Sequence, residues 1–338
     1  MAKLRASSVI RSASTVALGL GVLIFVATTG CATSGTTEER PAPAVVLVAS
    51  GAGIDSARAK LDAGDLRAAI VDAEAHVKAN PNDAKGHFSL GTLLSMSGDL
   101  PGAESELSQA VQLDMAFAAA HNNLGLVRMR LGRFKEALGS LERAVQLSPA
   151  SPAIWLNLAS TRQQAGNWMD SLKAYEEALY LAPDDDDAEV GMATALSRVG
   201  RRPEAVNHFD RVLVRTPGSV PALIGKSAAL REMGRHDNAI TAADAAVRLA
   251  PSNPSAMLAA GLARDFKGDS AGAEAYYQKS LATAPTHTPT LFNLGIFLEE
   301  QGRAAEAKTV YVRFLEHASE KEHGYKQIQT RLKKLNAK

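Results

Sequence analysis

With a single cysteine, Cys31, this 338-residue chain can form no internal disulfide, so nothing covalent staples its fold. Aromatic residues make up only 5% of it, which leaves Ala and Leu to supply most of the packing. A core of small side chains implies close approach of helices. An excess of either charge is also missing. The 37 basic residues stand against 36 acidic ones, the net charge is +1, and no dense Lys/Arg block lies outside the tail, so nucleic acid is not indicated as a partner. The longest apolar run, "VALGLGVLIFV" at residues 16–26, is shorter than the roughly 20 residues that span a bilayer. Phosphate-loop, GxGxxG, HExxH and GxSxG patterns are absent as well.

What is present at the start is an export signal. Lys3, Arg5 and Arg11 give a positive beginning, residues 16–26 an apolar middle, and Thr28, Thr29 and Gly30 a run of small residues before Cys31. No His, Asp or Glu lies between Arg5 and Glu38 to activate Cys31 as a nucleophile or to complete a metal site. The stretch resembles the lipobox of bacterial lipoproteins, with Thr28 standing where that motif usually carries Leu. The resemblance implies a signal peptide at 1–30 and a lipid on Cys31 as the first mature residue. An ordinary cleaved signal and an uncleaved anchor are the competing readings. Ala32, in place of Asp, resembles the outer-membrane sorting pattern of Gram-negative lipoproteins, which implies the periplasmic face of the outer membrane. Residues 31–53, opening "CATSGTTEERPAPA", are too poor in apolar surface to fold alone and read as a flexible tether. Such a tether reaches on the order of 25 Å. Its one apolar patch, "AVVLV" at 44–48, either docks on the first folded unit or is a stray sticky segment.

One period governs the rest. Gly64, Gly98, Gly132, Gly166, Gly200, Gly234, Gly268 and Gly302 are each 34 residues apart, and Pro81, Pro149, Pro183, Pro217, Pro251 and Pro285 keep the same step. Met115 and Ser319 stand in for the two missing prolines. A 34-residue period marks helix-turn-helix units that bury their apolar faces only against neighbours. With Pro as residue 32, the units start at Ser50, Ala84, Ala118, Pro152, Asp186, Val220, Pro254 and Thr288. In the third unit Leu124, Leu131, Ala137, Leu138, Leu141, Ala144, Val145 and Leu147 recur at three- and four-residue steps, so a helix lies on either side of "LGRF". The glycine ends the first helix in the left-handed conformation, and the proline ends the second. Small residues in the eighth place, Gly91, Gly125, Ala159, Ala193, Ser227, Gly261 and Gly295, predict tight helix crossings, as does Ala in the twentieth and twenty-seventh.

"IWLNLASTRQQAGN" and "YEEALYLAP" keep Trp155, Leu158, Tyr175, Ala178 and Pro183 of a known pattern, and the chain resembles the tetratricopeptide repeat (TPR) family over residues 50–321. The resemblance implies an all-α, right-handed α-solenoid of about eight units at 54–321. The segment 322–338 is read as a capping helix, with Tyr325, Ile328, Leu332 and Leu335 on one face and Lys326, Arg331, Lys333 and Lys334 on the solvent side. A basic helix facing a membrane is the alternative.

Signal, tether, repeats and tail use the whole length, which predicts a non-enzymatic protein with no cofactor, no metal and no small-molecule substrate. His317 and His323 sit six apart, on different helix faces. The run "DDDD" at 184–187 lies where a helix begins and suits capping better than calcium. His87 and His121 share the fourth place, where the family has its Trp, and are read as packing residues. The positions of the first helices that packing leaves free share a face, which in the TPR family lines a concave groove. It carries Asn122, Asn123, Leu126, Arg130, Leu156, Asn157, Ser160, Gln164, Arg198, Ile224, Arg231, Leu262, Phe292, Asn293 and Ile296. Asn123, Asn157 and Asn293 stand in the sixth place, where the repeat domain of O-linked N-acetylglucosamine transferase has a ladder of asparagines that grip a peptide backbone. The alternative is that these amides bond within the repeats. The family's carboxylate clamp is unmatched, since Phe88, Asn122, Leu156 and their equivalents replace its Lys.

The functional expectation is a lipid-anchored adaptor that holds a peptide or helix of another envelope protein. It resembles at family level the pilotins and pilus-assembly lipoproteins that help secretins. The alternative is a periplasmic regulatory subunit of a cell-wall hydrolase or synthase.

Overall fold

The computed structural model describes residues 52–320, 322 and 324–337. The leader, Cys31 and the tether with its 44–48 patch lie outside the described residues. Among the described residues there are seventeen helices and no strand. Sixteen of them form eight pairs, from α1 (Ala52–Asp62) with α2 (Leu66–Ala79) to α15 (Thr288–Glu300) with α16 (Ala304–His317). Between these come α3 (Ala84–Ser97), α4 (Leu100–Leu113), α5 (Ala118–Arg130), α6 (Phe134–Leu147), α7 (Pro152–Gln164) and α8 (Trp168–Leu181). Then follow α9 (Asp186–Arg198), α10 (Arg202–Arg215), α11 (Val220–Glu232), α12 (His236–Leu249), α13 (Pro254–Lys267) and α14 (Ser270–Thr283). From the second pair onward, each first helix begins on the residue that the period assigns to the start of a unit.

The turns follow from backbone chemistry. Gly200, between α9 and α10, has φ of 90°, a conformation that costs a residue with a Cβ about 1–2 kcal/mol. The eighth-place glycines act through space instead. A Cβ on Gly125 would fall 2.6 Å from Leu141 Cγ and 3.1 Å from the Ala137 carbonyl oxygen, so α5 and α6 could not approach as they do. Ala103, Ala137, Ala205, Ala239, Ala273 and Ala307 of the twentieth place are fully buried, as small residues at a crossing must be.

Successive first helices touch one another along the array, while second helices meet chiefly the first helices on either side of them. First helices therefore form the closer-spaced inner layer and second helices the outer one, and the α-solenoid curves with the first helices inside.

The last helix, α17 (Tyr325–Asn336), buries Ile328 and Leu335 in the terminal core, with Tyr325 and Leu332 packed beside them. That is the expected cap, with one correction. Arg331 is not on the solvated face: Nη1 donates to Glu299 Oε2 at 3.0 Å, since the helix lies close enough to α15 for a long side chain to pair there.

Candidate protein-binding groove

The fourth residue of each first helix reads out how neighbouring units lock. Trp155 Nε1 donates to the Pro149 carbonyl at 2.8 Å, and His87 and His121 place Nε2 at 3.0 and 3.3 Å from the carbonyls of Pro81 and Met115. The two histidines are packing residues doing the work of the tryptophan. In the fifth unit Glu189 takes that place, 1% exposed, and is held by His208, Arg211 and Arg215 of α10. Burial pushes its carboxyl up, but the bonds from Arg215, Arg211 and His208 outweigh this and hold it below the usual carboxylate value. Within the acidic run, Asp185 Oδ1 caps α9 by accepting from the Ala188 N–H at 2.9 Å, as expected of that run, while Asp186 takes Arg215 and Thr216.

Inside the curve, the sixth-place amides of units three and four are joined through the fifth-place Asn122. Asn123 Nδ2 donates to Thr92 Oγ1 at 3.0 Å, Asn122 Nδ2 to Asn123 Oδ1 at 3.1 Å, and Asn157 Nδ2 to Asn122 Oδ1 at 2.9 Å. These three amides are 6–8% exposed and form a polar chain across three units. Asn293 Nδ2 bonds within its own turn, to the Pro289 carbonyl at 2.7 Å. Gly191 and Gly225 hold the sixth place of the next two units. There the rings of Tyr175 and Phe209, from the preceding units, occupy the space a Cβ would need.

Of the remaining expected groove residues, Leu126, Leu156 and Ser160 form a half-buried floor, while Arg130 and Gln164 are exposed at the edge. Ile224, Leu262 and Arg231 are buried, and Arg198 is half-buried beside Trp168, with Cζ 5.0 Å from the ring centroid. Phe292 and Ile296 pack into the terminal core beneath the cap, and the Phe292 ring lies where a Cβ on Gly324 would stand. The groove is thus open over the middle units and closed at its C-terminal end.

Models of the tetratricopeptide repeat match residues 54–116, 97–152, 122–186, 156–220, 190–254, 224–288 and 276–309. The chain belongs to the tetratricopeptide repeat family. Among solved structures it is similar to a TPR protein from Parabacteroides merdae ATCC 43184, at 20% identity over 75% of this chain and 99% of that one, with a TM-score of 0.67. It is also similar to yeast Tom70, at 14% identity over 81% of this chain and 59% of that one, with a TM-score of 0.62. At such identities the likeness is one of fold. No curated protein matches the chain. A TPR scaffold of this kind is suited to protein–protein interaction.

Three edge residues of this TPR array escaped the sequence reading: Asp265, Phe266 and Glu300. They stand in the same twelfth and thirteenth places as Arg130, Gln164, Arg198 and Arg231, so applying that rule to the last two units would have found them. Phe266 is 46% exposed, and its ring covers the Arg231 guanidinium, 4.3 Å from Cζ to centroid. Arg231 is 3% exposed, and both its terminal nitrogens lack a hydrogen-bond partner.

Proposed function

We propose that this chain is a lipid-anchored, non-enzymatic TPR adaptor of the cell envelope. Cys31 tethers it to the periplasmic face of the outer membrane, and its groove holds a peptide or helix of another envelope protein during pilus, secretin or wider envelope assembly. The observation that carries the reading is the inner face of the middle units. Leu126, Leu156 and Ser160 offer a half-buried floor, and the edge beside them presents the polar side chains of Arg130 and Gln164 to solvent. An apolar floor adds affinity through burial while a polar edge orients the occupant, the usual division of labour at a peptide groove. The basic start, the apolar run at 16–26 and the lipobox-like stretch before Cys31 support export and anchoring.

The test has two parts. A photo-crosslinking residue at Gln164 should capture an envelope protein in cells, and the same residue at the outward Tyr180, which is also exposed, should not. Equal capture at both sites would move recognition out of the groove. Separately, labelled palmitate should enter the wild type, and Cys31→Ser should release the protein from membranes. A Ser variant that stays membrane-bound at wild-type levels removes the anchor.

A further inference from the structure

Charges on the outer and lateral surfaces of this array are paired between neighbouring units. Arg133 bridges to Glu104, Arg162 to Glu142, Arg202 to Glu232, Arg264 to Asp244 and Arg303 to Glu274, each joining one unit to the next. The inner edge breaks this rule except at Glu232 and Glu299, which Arg202 and Arg331 hold. Among the described residues no carboxylate lies within 4.0 Å of Arg130 or Arg198, and Arg231 comes only within 3.8 Å of Glu232, without a hydrogen bond. Asp265 accepts a single bond, from the Tyr277 hydroxyl at 3.2 Å, and Glu300 has no ion-pair partner.

These groups without a close ion pair are sorted by sign, and Arg130 bonds instead to the Ser95 carbonyl and hydroxyl at 2.9 and 3.1 Å. Positive charge stands at Arg130, Arg198 and Arg231 in units three, five and six, and negative charge at Asp265 and Glu300 in units seven and eight. The exposed outer face of Phe266 lies at the change of sign. The opposite edge, at the second place, has Lys85 and Asp187 exposed, one of each sign, and so no polarity of its own.

We propose that the segment held in the groove is bipolar, with acidic side chains over units three to six, a basic side chain at the exposed edge of units seven and eight beyond the open floor, and an apolar residue beside Phe266 between them. This deepens the groove reading and rests on it. A buried guanidinium without hydrogen-bond partners is destabilising alone, and its planar fork suits a carboxylate bidentately, so an acidic side chain that reaches past the edge of the Phe266 ring satisfies both free nitrogens at once. At the other end, burial pushes the carboxyls of Glu300 and Asp265 above their usual values, the charge of Asp265 raises Glu300 further while the Tyr277 hydroxyl and Arg231 partly offset the rise at Asp265, and a partner's cation favours both charged forms. A segment laid the other way would set like charges face to face, which fixes its orientation.

Two fluorescent peptides of identical composition provide the test. One has its Glu residues grouped at one end, a Leu-rich middle and its Lys residues at the other end, made in both chain directions; the other alternates Glu and Lys. Binding is read by anisotropy to wild type, to Arg130→Glu with Glu300→Lys, and to Ser160→Tyr, which fills the floor. Both charge changes are at exposed sites, and equal melting of all variants is the control. The grouped peptide should bind wild type at least about tenfold more tightly than the alternating one, and the charge-reversed variant should lose that preference. If both peptides bind wild type equally and Ser160→Tyr abolishes both, the groove stands and its polarity falls. A preference that survives charge reversal also overturns the polarity. If no peptide binds, or Ser160→Tyr changes nothing, the groove reading falls and takes this inference with it.

Discussion

Alanine in place of Gly225 and alanine in place of Gly139 are the same chemical change with opposite expected signs. Both glycines sit inside helices, α11 and α6, where Ala is intrinsically better than Gly by about 1 kcal/mol. At Gly139 nothing lies within 4 Å of an added Cβ, so the full gain of about 0.5–1 kcal/mol is expected. At Gly225 the new Cβ falls 2.4 Å from Phe209 Cζ and 2.5 Å from Cε1. Non-bonded carbons rest at about 3.5–4.0 Å, so the ring must retreat by more than ~1 Å. Phe209 is fully buried in the central cluster and has no room to move, and overpacking of this kind costs about 1–3 kcal/mol. Subtracting the helix gain leaves Gly225→Ala destabilised by up to about 2 kcal/mol, and separates the two variants by roughly 1–3 kcal/mol. An array can open unit by unit, so the assay is urea unfolding combined with hydrogen exchange resolved to α10 and α11. Faster exchange there in Gly225→Ala, with a higher midpoint in Gly139→Ala, is expected. A Gly225→Ala protein as stable as the Gly139→Ala one would refute the packing argument.

Gly200→Val should destabilise by at least about 1–2 kcal/mol from conformation alone, since no atom lies within 4 Å of its Cβ position, and limited proteolysis should cut at that turn and spare a flanking fragment. Unchanged melting and cleavage would contradict it. Glu189, held below its ordinary value of 4.5, contributes stability that is complete above that value and lost as pH falls towards the folded one, so Glu189→Gln should flatten the acid limb of a melting-versus-pH curve. Burial pushes His287 down from 6.5 to about 4, so the unfolded chain takes the proton first, and stability should fall by up to about 3 kcal/mol between pH 6.5 and 4. His287→Gln should remove that window while leaving the Glu189 limb in place. Asn157→Ala strips the donor from Asn122 Oδ1 and should lower stability by about 1–3 kcal/mol, read by the melting of units three and four.

Glycine and proline act on their own backbone, which is why the architecture was legible before any contact was known. A residue with φ between 74° and 91° every 34 positions, joined in six units by one without an N–H, sets the phase, and the first helices from α3 to α15 begin where it puts them. His87 and His121 were legible for a related reason, since the fourth place in units two to four faces the carbonyl at the thirty-second of the unit before. Pairings chosen from several chemically equivalent partners were not legible. Arg331 looked like one more solvated base of the tail, yet it reaches Glu299, 32 residues away, because α17 packs against α16 within reach of a long side chain on α15. Arg231 and Gln164 stand in adjacent places of their units, and nothing in their spacing shows that the first is buried beneath Phe266 while the second is exposed.

The sixth place of the first helix shows how a uniform repeat divides its tasks. Across units two to four, contact between units runs through Thr92, Asn123, Asn122 and Asn157, a chain of hydrogen bonds that tolerates little shift in register. In units five and six the same place is glycine, and contact with the preceding units runs through the rings of Tyr175 and Phe209, which fix the spacing by steric fit. Both devices fill the floor of the groove at that depth with the protein's own atoms. Exposed hydrogen-bonding and charged groups are thereby left at the thirteenth place, along the edge where Arg130, Gln164 and Glu300 stand. An occupant of such a groove gains affinity from the apolar floor, common to many sequences, and is discriminated at the edge. Substitutions at Arg130 or Glu300 should therefore change which segment binds, while filling the floor at Ser160 should weaken every segment alike.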